Sequence, residues 1–231
     1  SFFNDVLNIL KQYYPFLLRG VGYTLLISLI GTVAGFLIGL LTGMLRTAPM
    51  PKNPVRRFFR KLLCGIIAVY VEIFRGTPMM VQAMVIYWGY AFASGGNTLP
   101  LIPSGIIIVS INTGAYMAEI VRGGIISIDK GQFEGASAVG MTHSQTMLHV
   151  ILPQVIKRIL PAVTNEVITL VKDTSLAFVL AVTEMFTLAK QVAAAQTTIV
   201  PLMAAGVFYY LFNLLVAFVM ETLEKKMAYY R

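Results

Sequence analysis

Residues 129–153 read DKGQFEGASAVGMTHSQTMLHVILP, a polar stretch in a chain that is otherwise rich in apolar residues. Asp129 followed by Gln132 is typical of a helix N-cap and its reciprocal partner three residues on. Gly140 suits the left-handed position just beyond a helix C-terminus, so the pattern predicts a short helix that ends at this glycine. A polar helical segment kept outside the membrane is typical of a place where a membrane protein binds a partner.

A second short helix is expected after the corner at Gly140. Thr142 and Gln145 repeat the capping pattern, and Pro153 either ends this helix or begins the next one. Small side chains before the corner leave a shallow surface that another backbone can approach closely. They belong to Gly135, Ala136, Ser137 and Ala138. From the residues alone, a solvated surface elbow without a partner is an equally good interpretation.

The rest of the chain has the composition of an integral membrane protein. Of its 231 residues, 57% are hydrophobic and 12% are charged, and the mean hydropathy is +0.76. Because about 20 apolar helical residues cross the hydrocarbon core, the sequence predicts five membrane-spanning helices. The predicted spans cover residues 16–45, 58–92, 101–126, 155–182 and 199–223. The expected fold is all-α, a polytopic membrane helical bundle that forms a single transmembrane domain over residues 1–231.

Two irregular places are expected in this bundle. Pro78 interrupts the second span, so we predict a kink or an unwound turn near residues 76–79. Residues 184–198 are too polar and too short to span, and they are expected to form a short helix on the outer side.

Lysine and arginine residues set the expected orientation in the cell membrane. The loop after the first span is strongly basic and has no acidic residue, whereas residues 93–104 carry no charge. Basic residues return after the third span and near the C-terminus. We therefore expect the C-terminus in the cytoplasm and the N-terminus outside. Because the basic residues are spread over loops that meet anionic lipid, we expect no nucleic-acid binding.

Motifs for covalent or metal chemistry are missing from the sequence. It has no G-x-x-x-x-G-K-[ST] loop to hold nucleotide phosphates, no G-x-S-x-G and no H-E-x-x-H. His143 and His149 are six residues apart, which puts them on different faces of a helix and argues against a metal site. The single cysteine, Cys64, is expected to pack in the interior. We expect no catalytic residue, metal or cofactor, and we do not expect the chain to be an enzyme.

The polar stretch resembles the EAA loop of ATP-binding-cassette importer permeases. That pattern is E-A-A, three residues, Gly, nine residues, Ile, any residue and Leu-Pro. Residues 134–136, Gly140 and residues 150–153 match it with the same spacing, with Gly135 at the first Ala and Val150 at the Ile. Further motifs resemble the polar amino acid uptake branch of these permeases. They are FRGTP at residues 74–78, AYMAEIVRGG at 115–124 and KDTSL at 172–176.

The resemblance implies a type I importer permease of five spans, whose elbow is a coupling helix that fits a cleft on a separate ATPase subunit. The residues carried over to this coupling role are Glu134, Gly135, Ala136, Gly140, Leu152 and Pro153. The implied partners are a pair of cytoplasmic ATPase subunits, a second permease protomer that is identical or homologous, an extracytoplasmic amino-acid-binding protein and a polar amino acid. The alternative function is a self-contained ion-coupled transporter or channel.

Ionisable groups at membrane depth are costly and mark functional sites, and three predicted spans carry them in helical stripes. The stripes contain Glu72, Arg75 and Gln82, then Asn112, Tyr116 and Glu119, then Glu166, Thr169 and Asp173. The candidate substrate-binding residues are Glu72, Arg75, Asn112, Tyr116, Glu166 and Thr169. In this hypothesis Glu166 accepts the ammonium group of an amino acid, and Asn112 or Arg75 binds its carboxylate.

Structural roles compete with this interpretation. The alternatives are an ion pair between Glu72 and Arg75 that braces the break at Pro78, an ion pair between Glu119 and Arg122, and pairs of Lys172 and Asp173 with other helices. The first span also carries a small-residue face that favours close helix packing, either inside the protomer or against a second copy. It consists of Gly31, Gly35, Gly39 and Gly43.

Overall fold

The described part of the chain is helical, as predicted. The structure is a computed structural model and describes residues 2–173 and 185–229. Its helices are α1 (Phe2–Thr47), α2 (Pro54–Gly76), α3 (Met79–Ala93), α4 (Leu101–Ile126), α5 (Lys130–Ala138), α6 (His143–Thr146), α7 (Leu152–Asp173), α8 (Met185–Gln196) and α9 (Val200–Tyr229). A π-helical turn, Met147–Ile151, connects α6 to α7.

Several of these helices are long and apolar enough to cross a membrane. The qualifying segments among the described residues are Lys11–Thr47, Leu101–Ile126, His143–Val171 and Val200–Leu223, and the bent pair α2 and α3 adds a fifth if it counts as one span. The third predicted span has the bounds of α4, and the predicted short helix near residues 184–198 is α8. The predicted C-terminal part of the fourth span, residues 174–182, lies outside the described residues.

Helix α1 begins well before the predicted first span. Its first turns pack against α8 and α9, where Ile9 forms an apolar cluster with Val192 and Val200. Near them, Nε2 of Gln196 donates a hydrogen bond of 2.6 Å to the hydroxyl of Tyr13. These contacts support the helix through Pro15, which lies inside it. The prediction at residues 16–45 concerned the membrane-spanning part alone, and the apolar segment Lys11–Thr47 contains it.

The predicted break at Pro78 is confirmed. Helix α2 ends at Gly76, and Pro78 adopts an extended conformation (φ −64°, ψ 138°) before α3 begins at Met79. Proline cannot donate an N–H to the carbonyl four residues earlier, and its ring crowds that carbonyl. Because Gln82 therefore belongs to a different helix, the prediction that it shares a stripe with Glu72 and Arg75 was wrong.

The chain folds as two compact units. The first comprises Ser1–Val33, Thr77–Ser110 and Val167–Ala217, and the second comprises Ala34–Gly76, Ile111–Glu166 and Phe218–Arg231. The core of the first unit is a cluster of Ile27, Met79, Ala83, Tyr87, Ile108, Val109 and Leu170. In the second unit, a smaller cluster joins α2 to α4 and consists of Ile67, Val71 and Ala118.

The glycine face of α1 packs inside the protomer, against α4. In the second unit, a Cβ atom on Gly39 would lie 2.3 Å from Cβ of Met117 and 2.7 Å from the backbone nitrogen of Ala118. The other glycines are equally close to their neighbours on α4. Gly35 faces Thr113 and Gly43 faces Val121 in this unit, and Gly31 faces Val109 in the first unit. Both helices thus present residues at a spacing of four, and the internal-packing alternative is confirmed.

Candidate functional site

The polar stretch forms the predicted corner between α5 and α6. The predicted second short helix is not separate, because α6 continues through the π-helical turn into α7. At the start of the polar stretch, the side chain of Asp129 caps α5 by accepting a hydrogen bond of 2.6 Å from the backbone N–H of Gly131. The expected reciprocal role of Gln132 was wrong. Its side-chain oxygen instead accepts a hydrogen bond of 3.2 Å from Nε2 of Gln154 on α7. The side chain of Gln132 therefore contacts α7 and does not take part in capping α5.

The corner itself is fixed by backbone geometry. Gly140 has a φ of +81°, a left-handed conformation that favours glycine. The backbone N–H of Met141 donates to the carbonyl of Ala136 at 3.1 Å, and that of Gly140 donates to the carbonyl of Ser137 at 3.0 Å. These two bonds form a Schellman motif, which satisfies the last carbonyls of α5. The chain therefore turns at Gly140 with a defined geometry.

A complete capping box begins α6. The hydroxyl of Thr142 accepts from the backbone N–H of Gln145 at 3.3 Å, while the side chain of Gln145 accepts from the backbone N–H of Thr142 at 2.8 Å. The second half of the predicted elbow is thus confirmed at its start.

Pro153 does not stop the second helix. The π-helical turn carries the backbone from α6 into α7, and Pro153 is the second residue of α7. At the end of the turn, the N–H of Leu152 donates to the carbonyl of Met147, five residues earlier. The wider π turn relieves the clash between a proline ring and the carbonyl of the preceding turn. Of the two predicted roles for Pro153, the start of the next span is the correct one.

The six predicted coupling residues differ in their exposure to solvent. Four of them are exposed on the elbow, and these are Glu134, Gly135, Gly140 and Pro153. Ala136 and Leu152 are only 7% and 8% exposed, so they pack inside the protein and hold the elbow in place. The sequence prediction missed two exposed apolar side chains beside the corner, Val139 (77% exposed) and Leu148 (60% exposed). Because water solvates apolar side chains poorly, the corner is suited to contact another protein.

The elbow is tied to the long helices on both sides. Nη1 of Arg158 on α7 donates a hydrogen bond of 2.6 Å to the carbonyl of Ser127, just beyond the C-terminus of α4. A cation is favoured there because the helix end carries partial negative charge. Close by, a Cβ atom on Gly124 would lie 2.4 Å from Cγ2 of Ile159, so α4 and α7 are in close contact. The ends of these two helices therefore form one bracket for the elbow.

An apolar groove lies beside the elbow in the second unit. It has a volume of about 370 Å³ and lies between the end of α1 and α6. The lining residues are Leu41, Met44, Leu45, Ala48, His143, Ser144, Met147 and Leu148.

The structure brings three of the predicted substrate-binding residues together where α2 meets α4. The guanidinium group of Arg75 lies over the ring of Tyr116, 5.8 Å from its centroid. Nδ2 of Asn112 donates a hydrogen bond of 3.5 Å to the carbonyl of Phe74. Pro78 cannot donate to that carbonyl, so Asn112 supports the end of α2.

A second side-chain amide supports the other side of the break. Nε2 of Gln82, a buried residue of α3, donates to the carbonyl of Thr77 at 2.9 Å and to its hydroxyl at 2.8 Å. Carbonyls released by a helix break in a membrane need such partners.

The other predicted substrate-binding residues differ in exposure. Glu72 is exposed and does not form the expected ion pair with Arg75 among the described residues, since Arg75 turns toward Tyr116. Glu166 is half-buried on α7, and Thr169 is exposed on the same helix. The side chain of Lys172 is outside the described part of the chain, so its predicted pairing stays a prediction.

The predicted pair of Glu119 and Arg122 is confirmed, and it is part of a larger cluster. Oε1 of Glu119 accepts a hydrogen bond of 2.8 Å from Nε of Arg122, and Oε2 accepts one of 3.0 Å from Nη1 of Arg46. Arg46 lies in the last turn of α1, so the carboxylate joins α1 to α4. Glu119 therefore has a structural role.

Comparisons with known proteins agree with these features. Residues 35–229 match the family described as "Binding-protein-dependent transport system inner membrane component". The L-cystine transport system permease protein TcyB of Bacillus subtilis is 34% identical over 222 residues, which cover 95% of this chain and 90% of the relative. The glutamine transport system permease protein GlnP of Escherichia coli is 35% identical over 214 residues, which cover 92% of this chain and 93% of the relative.

Solved structures share the fold. A crystal structure of an amino acid ABC transporter with histidines contains a chain with a TM-score of 0.80 and 29% identity, and the match covers 94% of this chain and 96% of that one. An inward-facing structure of the MetNI methionine ABC transporter gives a TM-score of 0.78 over 94% of this chain and 98% of that one. Its identity is 21%, so it supports the fold alone.

Proposed function

Since this chain belongs to the family of binding-protein-dependent transport system inner membrane components, we propose that it is the permease subunit of an ATP-binding-cassette importer for polar amino acids. A separate cytoplasmic subunit pair binds and hydrolyses ATP in this proposal. The observation that carries it is the elbow, an exposed corner with a fixed backbone geometry that is tied to both α4 and α7. Such a bracket is suited to receive force from a partner.

The contacts of α5 connect the elbow mechanically to the long helices. A load on α5 passes to α7 through the bond between Gln132 and Gln154, and the bond between Arg158 and Ser127 holds the end of α4 to α7. Side chains packed as densely as those around Gly124 transmit displacement because they cannot be compressed. Closure of an ATPase pair against the elbow therefore tilts α4 and α7 together.

The remaining partners and the orientation complete the proposal. Two protomers, identical or homologous, frame the transport path, and an extracytoplasmic amino-acid-binding protein delivers the cargo. The excess of basic residues in the first and third loops and at the C-terminus supports a cytoplasmic C-terminus and an external N-terminus. The names of the relatives include cystine, glutamine and arginine transport, which supports polar amino acids as the cargo class.

Coupling can be tested with two glycines of similar backbone conformation. Gly140 and Gly95 have φ values of +81° and +71°, and at neither glycine would an added Cβ atom have a neighbour within 4 Å. Alanine in this conformation costs about 1–2 kcal/mol at either place. We expect Gly140→Ala to lower recovery of the ATPase subunit with the purified permease, and Gly95→Ala to leave it unchanged. Equal recovery with all three proteins would contradict coupling at the elbow.

Transport itself separates the proposal from its rival. In proteoliposomes, the complex is expected to take up a labelled polar amino acid only when ATP and the binding protein are supplied. Uptake by the permease alone, driven by an ion gradient, would favour a self-contained transporter.

The proposed substrate site in the second unit includes Glu166 on α7 and the group at Arg75, Asn112 and Tyr116. An exposed cation–π contact is worth about 0.5–1 kcal/mol, so a substrate carboxylate can displace Arg75 from Tyr116. Glu166 is proposed as the acceptor for the ammonium group because ionisable side chains at membrane depth mark functional sites.

Glu166→Gln tests this role. We expect the variant to assemble with the ATPase subunit but to lose most of the stimulation of ATP hydrolysis by substrate-loaded binding protein. Glu221→Gln, on the exposed C-terminal part of α9, is the matched control and is expected to keep the stimulation. A normal response in Glu166→Gln would remove this residue from the substrate site.

A further inference from the structure

Helix α2 has a firmly set N-terminus. The side-chain oxygen of Asn53 accepts hydrogen bonds from the backbone N–H groups of Val55 at 2.9 Å and Arg56 at 3.2 Å. Pro54 is the first helical residue, a position where its missing N–H costs nothing. Because the cap fixes the start of the helix, the sides on which the following residues lie are also fixed.

One face of α2 is an exposed apolar stripe. At about 100° per residue, its members fall within an arc of about 100°. They are Val55, Phe58, Phe59, Leu62, Ile66, Val69 and Ile73, and all are exposed. The stripe is continuous from the first turn of the helix to its last turns, which belong to the predicted second span. Lipid acyl chains that cover the later residues therefore have an unbroken apolar surface leading to Phe58 and Phe59, which are 65% and 62% exposed.

Exposed cations surround the first two turns of the same helix. We call them the basic collar, and they are Lys52, Arg56, Arg57 and Lys61. The sequence has no acidic residue between Asp5 and Glu72. The ion pairs that the described residues form involve none of the four collar side chains. Their charge is therefore not neutralised within the described part of the protein.

The collar lies at a helix N-terminus, which increases the local positive charge and so favours a bound anion. The N-terminus of a helix carries partial positive charge, which favours acids and disfavours cations in the first turn. The first turn of α2 has no acid, and Arg56 and Arg57 lie there. Arg60 is not part of the basic collar. Its side chain donates a hydrogen bond to the carbonyl of Leu45 and is held against the protein.

We propose that the basic collar and the adjoining apolar stripe bind anionic phospholipid. The phosphate and acidic headgroup lie against the four cations, and the acyl chains lie along Val55, Phe58, Phe59 and Leu62. This surface is separate from the elbow and from the proposed substrate site, so the inference goes beyond the proposed transport function. A bilayer fits better than a protein partner because the apolar stripe continues into the membrane-spanning part of the same helix.

A fluorescent reporter at the surface measures this binding directly. Trp88 is the single tryptophan, so Trp88→Phe together with Phe59→Trp places one indole beside the collar. The full-length permease is reconstituted in phosphatidylcholine bilayers that contain increasing amounts of brominated phosphatidylglycerol or brominated phosphatidylcholine, which quench the indole on contact. We expect phosphatidylglycerol to be preferred by at least about fivefold, the ratio that corresponds to about 1 kcal/mol for one basic residue near anionic lipid.

Salt and substitution give two independent checks. Raising the salt from about 0.1 M to about 1 M shortens the screening length from about 10 Å to about 3 Å. The ratio of quenching by phosphatidylglycerol to quenching by phosphatidylcholine should therefore fall toward one without any change in the protein. Arg56→Gln with Arg57→Gln should abolish the preference at low salt. Lys225→Gln with Lys226→Gln removes the same charge from the end of α9 and should leave the preference intact.

Three results would overturn the proposal. Equal quenching by the two lipids at low salt would show that the collar does not select anionic headgroups. A preference that persists in the Arg56→Gln, Arg57→Gln protein would place the selection elsewhere. Weak quenching by both lipids, or quenching relieved when the ATPase subunit is added, would show that a protein covers this surface instead.

Discussion

At the residue scale, the absence of a side chain matters most at the crossing of α1 and α4. Gly39 faces Met117 so closely that an added Cβ would be 2.3 Å from its Cβ and 2.6 Å from its backbone carbon. A flexible side-chain end can move aside, but a backbone atom in a packed helix cannot do so cheaply. The small residue therefore permits the close approach of the two helices.

Gly39→Ala is expected to destabilise the protein by about 1–3 kcal/mol, as overpacking of a filled interior does. Gly22→Ala is the matched control on the same helix, because nothing lies within 4 Å of the added methyl group. Alanine favours a helix over glycine by about 1 kcal/mol, so the control should be neutral or more stable. The measurement is the thermal midpoint of the purified permease, followed by fluorescence-detected gel filtration. Equal midpoints for the two variants would contradict the close packing.

Residue identity also explains which sequence predictions failed. Arg75 and Glu72 have the spacing of an ion pair, and so do Glu119 and Arg122, yet only the second pair forms among the described residues. Local spacing says which partners are within reach, but the helix on the other side decides between them. The guanidinium group of Arg75 lies over the ring of Tyr116, and Glu119 forms a second ion pair with Arg46.

At the scale of elements, the elbow works through its attachments. Helix α5 has nine residues and is too short to be stable alone, since isolated helices below about 12 residues are marginal in water. The hydrogen bond between Gln132 and Gln154 of α7 and the burial of Ala136 hold α5 in place. The bond from Arg158 to the carbonyl of Ser127 then makes the ends of α4 and α7 respond to a load as one body.

Arg158→Gln is expected to separate hydrolysis from transport. The ATPase subunit should still bind, because the exposed corner is unchanged. The amount of amino acid imported per ATP should fall by at least about twofold, because the variant loses the charged hydrogen bond that holds the end of α4 to α7. Lys157→Gln, one residue earlier and on a different side of α7, should leave this ratio near the wild-type value. The ratio is measured in proteoliposomes from labelled substrate and released phosphate. A normal ratio in Arg158→Gln would show that Arg158 does not transmit the load.

At the scale of the whole molecule, most of the helical fold could be predicted from apolar length and capping chemistry. Hydrophobicity located α4 to the residue, and Pro78 located the break between α2 and α3. The elbow was equally predictable, since Gly140 and the pair of Thr142 and Gln145 carry local, short-range signals. Features that depend on distant contacts were not predictable.

The N-terminal part of α1, before residue 16, is one of these features, because contacts with α8 and α9 stabilise it. The continuous passage from α6 into α7 is another, because a π turn is needed to accept Pro153. In the candidate sites, the role of Asn112 was missed for a similar reason. A sequence shows that proline releases a carbonyl, but not which side chain then supports it.

We propose that a separate ATPase drives this permease through the surface of the elbow. Amide hydrogen exchange in the complete complex, with the permease alone as reference, tests it most directly. We expect slower exchange at residues 130–145 when the ATPase subunit is bound, and unchanged exchange in the loop at residues 94–99. Exchange at residues 130–145 that is the same with and without the ATPase subunit would contradict the claim.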